Sequence, residues 1–151
     1  MRHFSDPAQL RHAPQRELHN GGWMDYAECP SRFEAMLEAL GPGEPARDFG
    51  LDPILAVHDS AYVAFLREAH AQWRAAGRDG DAMGYVFPVV RRRPLDLERI
   101  DAKIGAFSMD ASTPIAADTW AAAYGGVQSA LTALDAVLTG DRAAMALCRP
   151  P

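Results

Sequence analysis

The sequence has few cysteines, no long apolar run and no excess of basic residues. Its two cysteines, Cys29 and Cys148, lie far apart, which excludes a disulfide framework and a Cys-x-x-Cys zinc site. No apolar stretch reaches the roughly 20 residues of a membrane span, and residues 1–6 lack the apolar core of a signal peptide. We therefore expect a cytoplasmic protein with reduced cysteines and no membrane contact.

The charge balance is acidic, with 20 Asp and Glu residues against 15 Lys and Arg residues and a net charge of −5. Phosphate binding needs a basic face, and the basic run in this sequence is Arg91, Arg92 and Arg93. The composition therefore argues against nucleic acid as a partner. An acidic surface suits a cationic ligand instead.

Familiar catalytic motifs are also missing. No two of the five histidines have the four-residue spacing of a zinc-binding helix, and there is no Gly-x-Ser-x-Gly, phosphate-binding loop or dinucleotide fingerprint. His58 and His70 would project about 120° apart on a helix, so they do not chelate one ion as helix neighbours. Glu17 and Asp101 form an acid–base pair only if the fold brings them together. We expect no metal site built wholly from this chain.

Proline, glycine and capping residues divide the sequence into three predicted helices and two predicted strands. The helices run from Pro30 to Gly41, from Asp59 or Ser60 to Gly77, and from Asp118 or Thr119 to Gly140. The strands are 3–5 and 143–147, and 85–90 is predicted to be extended, with Pro88 excluding a central strand. The third helix is predicted to bury one apolar stripe, namely Trp120, Tyr124, Val127, Leu131, Leu134 and Leu138.

This alternation of helices and strands favours an α/β fold with a parallel sheet flanked by helices, in a single domain over residues 1–151. The predicted sheet is small, and a small parallel sheet leaves a bare edge that proteins normally pair or cover. The strand 143–147 also stands at the place where the functional loop of an α/β sheet begins. We therefore expect an incomplete fold.

Four segments, taken in order and spacing, resemble the histone deacetylase and acetylpolyamine amidohydrolase superfamily. They are residues 11–22 with Glu17-Leu18 and Gly21-Gly22, Glu28-Cys29-Pro30-Ser31-Arg32, His58-Asp59-x-x-Tyr62-x-x-Phe65-Leu66, and Leu147-Cys148-Arg149-Pro150-Pro151. The resemblance covers nearly the whole chain and corresponds to the N-terminal part of a full-length member. It implies an arginase/deacetylase-like fold, and its last segment resembles the strand that leads into the family's catalytic Gly-His-His.

The resemblance implies a zinc-dependent hydrolase that removes the acetyl group from acetylated polyamines or acetyl-lysine. In that family two aspartates and a histidine hold Zn²⁺, a His-His pair moves protons and a tyrosine steadies the oxyanion. All of these residues would follow residue 151, so the chain alone is expected to be inactive and to bind no catalytic zinc. The alternative is a complete, non-catalytic α/β binding or interaction module.

By the same resemblance, Glu17, His19, Asp101 and Phe107 line a substrate-binding rim, and Arg32 lines an internal channel suited to acetate. The carboxylates of Glu17 and Asp101 would face the cationic amine of an acetylated polyamine. Each residue also has a plainer interpretation, as a solvated loop residue, a helix N-terminal charge, a core aromatic or a surface arginine.

Two departures from the family pattern leave the substrate preference open. His19 stands where the polyamine enzymes tend to carry a tyrosine, and Ser112 stands where they carry a second acidic residue. The loop 20–27 carries Trp23, Met24 and Tyr26 and resembles the insertion by which family members dimerise and narrow the pocket. A homodimer is one expectation, and a loop folded back on its own domain is the other.

Overall fold

The computed structural model describes residues 1–87 and 97–149, which fall into two compact units. Unit 1 comprises Met1–Ala13, Glu28–His58 and Asp118–Pro151, and unit 2 comprises Pro14–Ala27 and Asp59–Ala117. The predicted extended segment 85–90 lies outside the described residues from Pro88 onward, as does the basic run 91–93.

The described residues form short strands, α-helices and one 3₁₀ helix. Strands β1 to β5 are Arg2–Ser5, Arg16–His19, Gly22–Asp25, Glu44–Pro45 and Ala144–Leu147. Helices α1 to α5 are Pro30–Leu40, Asp52–Leu55, Ser60–Ala75, Ile100–Phe107 and Thr119–Leu138, and the 3₁₀ helix is Pro7–Arg11. Within the described ranges, no helix is both long and apolar enough to cross a bilayer.

Unit 1 is built on a three-stranded parallel sheet with the strand order β4-β1-β5. In its central strand, Phe4 pairs with Glu44 of β4 on one side and with Ala146 of β5 on the other. The Phe4 side chain is 1% exposed and packs against Ala133 and Ala136 of α5. Strand β5 lies within the predicted strand 143–147. A parallel sheet with a helix packed on it confirms the predicted α/β class.

The boundaries of α1 and α3 follow their capping residues, as the sequence predicts. Pro30 opens α1, and the helix ends at Gly41, whose φ of +80° is a conformation that glycine adopts without strain. The Gly41 amide donates to the carbonyl of Leu37 at 2.8 Å. Asp59 caps α3, because its carboxylate accepts a hydrogen bond from the Ala61 amide at 2.7 Å.

Helix α5 has the predicted bounds, but the predicted orientation of its apolar stripe is wrong. Leu134 and Leu138 are 53% and 75% exposed. The buried side of the helix consists mainly of small and polar residues, namely Thr119, Ala122, Gly125, Gly126, Gln128, Ser129, Thr132, Ala133 and Ala136. Small residues are needed there because α5 approaches its neighbours closely: a Cβ on Gly125 would lie 2.6 Å from Cγ of Asp6.

Unit 2 packs α3 and α4 around one apolar cluster. Its buried members are Phe65, Ala69, Trp73, Ala82, Ile100, Ile104 and Ile115. Three of them, Phe65, Ala69 and Trp73, are four residues apart and lie on one face of α3. Ala82 and Ile115 exchange backbone hydrogen bonds of 2.9 and 2.8 Å, which join the segments before and after α4.

Unit 2 also contains a hairpin and a short helix that the sequence analysis does not predict. Residues 22–25 of the expected loop 20–27 form a strand of the antiparallel hairpin β2-β3, which is closed by Asn20 and Gly21 at φ values of +50° and +79°. Such a two-residue turn matches the natural twist of paired strands. The short helix is α4, and Asp101 lies in its first turn.

We expect Gly105→Ala to destabilise the protein by about 2 kcal/mol or more, since overpacking a tight contact costs this much. A Cβ at Gly105 would lie only 1.6 Å from the carbonyl oxygen of Val86, so the backbone must move. Gly22→Ala is the matched control, because its nearest neighbour would be at an ordinary 3.8 Å. Urea unfolding followed by circular dichroism measures both, and equal midpoints would contradict the prediction.

Candidate functional site

The β2-β3 hairpin carries the predicted rim residues Glu17 and His19 on one of its two faces. Residues directly opposite one another in an antiparallel pair share a face, and Glu17 is opposite Met24. His19, two residues beyond Glu17, lies on the same face, whereas Trp23 lies on the other. The hairpin is tied to the segment after α4 by a 3.1 Å hydrogen bond from the Leu18 amide to the Ala111 carbonyl.

The three aromatic and apolar residues predicted for an interface are not equally accessible. Trp23 is 63% exposed and Met24 is 53% exposed, so both can contact another surface. Tyr26 is only 7% exposed, and its amide donates to the Gln15 carbonyl at 3.2 Å, just beyond the paired residues of the hairpin. In this chain the accessible part of the predicted interface is therefore Trp23 and Met24.

The carboxylate of Asp101 is engaged by neighbouring cations. Arg99 donates to it through Nε at 3.1 Å and through Nη2 at 2.7 Å, and Arg78 donates through Nη2 at 3.0 Å. The hydroxyl of Tyr85 donates to the same carboxylate at 3.3 Å. The hydrogen bonds from Arg99, assisted by the charges of Arg99 and Arg78, hold the pKa of the Asp101 carboxyl below its usual range.

Phe107, the last residue of α4, is half-buried at the edge of the apolar cluster. Its ring stacks on that of Phe65 with centroids 4.8 Å apart, and it lies 6.0 Å from the ring of Tyr62. These aromatic contacts fix the position of the ring. Phe107 can therefore form part of a wall, and it also contributes to the packing of unit 2.

Arg32 lies in the first turn of α1 and therefore belongs to unit 1, whereas the four rim residues belong to unit 2. Its guanidinium pairs with the carboxylate of Glu28, four residues earlier, and its side chain is 59% exposed. Beside it, the Cys29 thiol and the Ser31 hydroxyl are 3.0 Å apart, and this hydrogen bond lowers the pKa of the thiol. The guanidinium is thus accessible and carries one ion pair.

A buried polar cluster in unit 1 has no counterpart among the predicted site residues. Gln9, His12, Thr119 and Arg149 are all at most 6% exposed. The Arg149 guanidinium donates through Nη1 to the carbonyls of Gln9 and His12 at 2.8 and 2.7 Å. A buried charge requires such partners, because removing it from water without them is costly. The sequence signal was an arginine two residues after a buried strand, near the strand end where functional residues of α/β sheets collect.

The Gln9 side chain completes the connection between the 3₁₀ helix and the end of β5. Its amide nitrogen donates to the Leu147 carbonyl at 2.8 Å, and its oxygen accepts a hydrogen bond from the Arg149 amide. Both backbone groups belong to the segment where β5 ends. The cluster therefore holds the carboxyl end of β5 against the N-terminal segment of the chain.

His12 is the titratable member of this cluster. Its Nδ1 lies 2.9 Å from the Thr119 hydroxyl oxygen. Burial, together with the charge of Arg149, lowers the pKa of His12 to about 4. The imidazole is therefore neutral at pH 7, which avoids placing a second positive charge next to Arg149.

Comparison with known proteins relates the chain to one family. Residues 26–151 match the family model described as histone deacetylase domain. Acetylpolyamine amidohydrolases 1 and 2 of Pseudomonas aeruginosa are 40% and 38% identical to the chain, over 98% of its length and 44% of their own. The crystal structure of acetylpolyamine aminohydrolase from Burkholderia pseudomallei superposes on the whole chain with a TM-score of 0.90 at 38% identity, using 45% of that structure.

The histone deacetylase family is zinc-dependent in general. Zinc sites in proteins use at least three His, Cys, Asp or Glu ligands. Over 1–87 and 97–149, no group of three such side chains is arranged to hold a metal ion. One candidate ligand, Cys148, instead donates its thiol to the Gly126 carbonyl at 3.2 Å, and burial raises its pKa. The described residues therefore do not fit a zinc ion.

We expect Arg149→Met to lower the free energy of unfolding by about 3 kcal/mol, since two carbonyls lose a charged hydrogen-bond donor in a buried site. Arg142→Met is the control, because Arg142 is exposed and lies in the same unit. Urea unfolding at pH 7 measures both variants. A midpoint of Arg149→Met equal to that of the control would show that the cluster contributes no stability.

We expect His12 to make the protein less stable in acid. Its folded pKa of about 4 lies below its ordinary value of 6.5, so the unfolded chain takes up the proton first and stability falls as pH decreases. Between about pH 6.5 and pH 4.5 this linkage removes about 2 kcal/mol. His12→Gln should lack this part of the acid sensitivity, and the exposed His19→Gln should retain it. Urea unfolding at both pH values measures how much stability each variant loses in acid. If His12 is not linked to folding, His12→Gln and His19→Gln lose the same amount.

Proposed function

Because this chain belongs to the histone deacetylase family, we propose that it forms the part of a zinc-dependent deacetylase that carries the substrate rim. The observation that carries the proposal is 38–40% identity, over 98% of the chain, to proteins named acetylpolyamine amidohydrolases. The chain spans about 44% of the length of those relatives. The proposed reaction is hydrolysis of the amide of acetylated polyamines or acetyl-lysine.

The proposed cation-binding element is the hairpin face that carries Glu17, His19 and Met24. No ion pair within the described part of the chain involves Glu17, so its negative charge is available to a ligand. A carboxylate attracts the free ammonium group of an acetylated polyamine by charge complementarity. The apolar stem of Met24 offers contact to the methylene chain of such a substrate.

Phe107 and Arg32 have the remaining proposed binding roles. Phe107 forms a wall of the rim, which its stacking on Phe65 supports by holding the ring in place. Arg32 binds the acetate product through charge-assisted hydrogen bonds. The exposure of its guanidinium supports this role, and acetate would compete there with the Glu28 carboxylate.

We propose that the chain by itself binds no catalytic zinc and is inactive. The absence of a metal-binding group from the described residues supports this proposal. In the family, zinc supplies polarisation of the amide carbonyl and activation of water.

A homodimer formed through Trp23 and Met24 is also part of the proposal, since both side chains are exposed. We also propose a cytoplasmic location, because both cysteines are free and thiols stay reduced in that compartment. We propose a single domain, because the family match includes residues of both units.

A second candidate function is a non-catalytic binding module that keeps the rim without the chemistry. One observation favours it: the described residues contain the hairpin with its unpaired Glu17 carboxylate and no metal-binding group. The two candidates differ in what happens when the matching portion of a relative is replaced by this chain. A deacetylase part restores a working enzyme, whereas a binding module does not.

The test is a chimera in which this chain replaces the matching 44% of Pseudomonas aeruginosa acetylpolyamine amidohydrolase 1. We expect the zinc-loaded chimera to deacetylate acetylputrescine and the isolated chain to show no turnover. In the chimera, Glu17→Gln should lower kcat/KM for acetylputrescine about tenfold, equivalent to ~1.4 kcal/mol.

A neutral acetylated alkylamine of equal length is the control substrate, and its kcat/KM should not change in Glu17→Gln. Turnover by the isolated chain would contradict the proposed inactivity. A folded, zinc-containing chimera without turnover would favour the binding module.

A further inference from the structure

We propose that an exposed apolar stripe of α5 and the free edge of β5 form one docking face in unit 1, and that its partner is the polypeptide that completes the deacetylase fold. The partner supplies a strand to the edge of β5 and an apolar surface to the stripe. The identity of this partner rests on the proposed function, in which the chain is part of a larger enzyme. The docking face itself rests on exposure, spacing and strand pairing within unit 1.

Helix α5 presents an apolar face to solvent as well as a face of small residues to the sheet. Leu134, Val137 and Leu138 are 53%, 41% and 75% exposed. Spacings of three and four residues place them on one side of the helix with apolar residues of the preceding turns. A contiguous exposed apolar surface of this kind is typical of a contact site. The outer stripe, none of whose members is buried, consists of Val127, Ala130, Leu131, Leu134, Val137 and Leu138.

No charged side chain interrupts the outer stripe. Asp135 lies beside it, and its carboxylate is paired with the Arg47 guanidinium at 2.7 Å. Covering a surface is costly when it removes an unpaired charge from water. The stripe can lose its contact with water without that cost, so an apolar partner surface suits it.

The two edges of the unit 1 sheet are built differently. Strand β4 has two residues, Glu44 and Pro45, and a short strand with a charge and a proline resists further pairing. Strand β5 has four residues, all apolar, without proline or charge. Within the described residues β5 pairs with β1 alone, so its other edge has no strand partner. The sheet is therefore blocked on the β4 side and open to extension on the β5 side.

The edge and the stripe are neighbours, because α5 packs directly on β5. Ala144 and Ala146 of β5 pack against the cluster that contains Ala133 and Ala136 of α5. The stripe residue Leu134 follows Ala133 in the helix. The stripe is about 16 Å long from the helical rise per residue, and the four residues of β5 span about 13 Å. One strand and one helix, the repeating unit of α/β folds, can therefore cover both elements.

The comparison with the Burkholderia pseudomallei structure points to the partner. That structure matches the whole chain with a TM-score of 0.90, and the match uses 45% of it. The chain therefore keeps the backbone arrangement of the larger fold, and none of its described strands pairs with the open edge of β5. The rest of the larger fold has no counterpart in the chain. This remaining part is the proposed partner of the docking face.

The test is co-expression of the tagged 151-residue chain with the part of Pseudomonas aeruginosa acetylpolyamine amidohydrolase 1 that lies outside the matching 44%. Affinity purification, followed by size exclusion with light scattering, measures the recovery of this part and the mass of the complex. We expect a complex with one copy of each. Leu134→Asp should lower the recovery about tenfold, because burial of one leucine side chain changes an equilibrium by at least this factor.

Val57→Asp is the matched control, because Val57 is 80% exposed in the same unit and lies outside the stripe and the sheet. It should leave the recovery unchanged. Leu138→Asp is the second variant and should behave like Leu134→Asp. The side chain of Leu138 is 75% exposed, so its replacement should not unfold the isolated chain. Circular dichroism of each variant checks that the helix content is kept.

Hydrogen exchange of the β5 amides tests the edge separately from the stripe. Amides of a strand point alternately to its two edges, so half of those in β5 point away from β1. In the isolated chain these amides should exchange quickly. In the complex they should exchange about 100-fold more slowly, because a strand of the partner bonds them. Unchanged exchange in the complex would contradict pairing at this edge.

Three results of the co-expression overturn the inference. They are no recovery of the partner by the unsubstituted chain, equal recovery by Leu134→Asp and Val57→Asp, and a dimer of this chain alone that dissociates in Leu134→Asp. The last result would assign the face to a second copy of the chain.

The proposed function is tested separately, by turnover of the chimera. A chimera that deacetylates acetylputrescine leaves the proposed function in place even if the docking inference is overturned. A complex that forms as expected beside a folded, zinc-containing chimera without turnover overturns the proposed function and leaves the docking face in place.

Discussion

The hydrogen bonds of one buried guanidinium, that of Arg149, connect the two ends of the described chain. A buried arginine cannot lose its charge, so the fold must provide acceptors for it, and the carbonyls of Gln9 and His12 do so. The same contact brings the Gln9 side chain onto Leu147 at the end of β5. His12 then has to be neutral beside that charge, which its lowered pKa achieves. The parallel pairing of β1 with β5 and this cluster support one another.

Close approach of α5 to the sheet and the 3₁₀ helix is the second constraint on unit 1. The helix buries residues such as Gly125 and Ala133 because larger side chains would separate it from Asp6 and Phe4. Its large apolar residues consequently lie on other faces. In unit 2 the constraint is different, because aromatic and branched side chains of α3 and α4 fill one cluster, and Phe107 packs against it.

The proposed site combines two carboxylates of equal formal charge and unequal availability. Glu17 lies on a hairpin face without a described cationic partner, whereas Asp101 is held by Arg99, Arg78 and Tyr85. Both positions are predicted at the rim from the resemblance of the sequence to the family. Electrostatics makes the two positions different, because a paired carboxylate presents the charge of its partners to solvent. Glu17 is therefore the carboxylate that we propose for recognition, whereas Asp101 forms ion pairs within unit 2.

Local sequence determined the ends of α1, α3 and α5 and the α/β class, since capping residues and hydrophobic spacing act within a few residues of one another. Motif spacing also identified the family. The orientation of α5, the ion pair of Asp101 with Arg78 and the burial of Arg149 depended on tertiary structure. Each joins residues that are distant in sequence, such as Gln9 with Arg149 or Arg78 with Asp101. A local sequence pattern does not show which distant residue pairs with a charged side chain or packs closely against a helix.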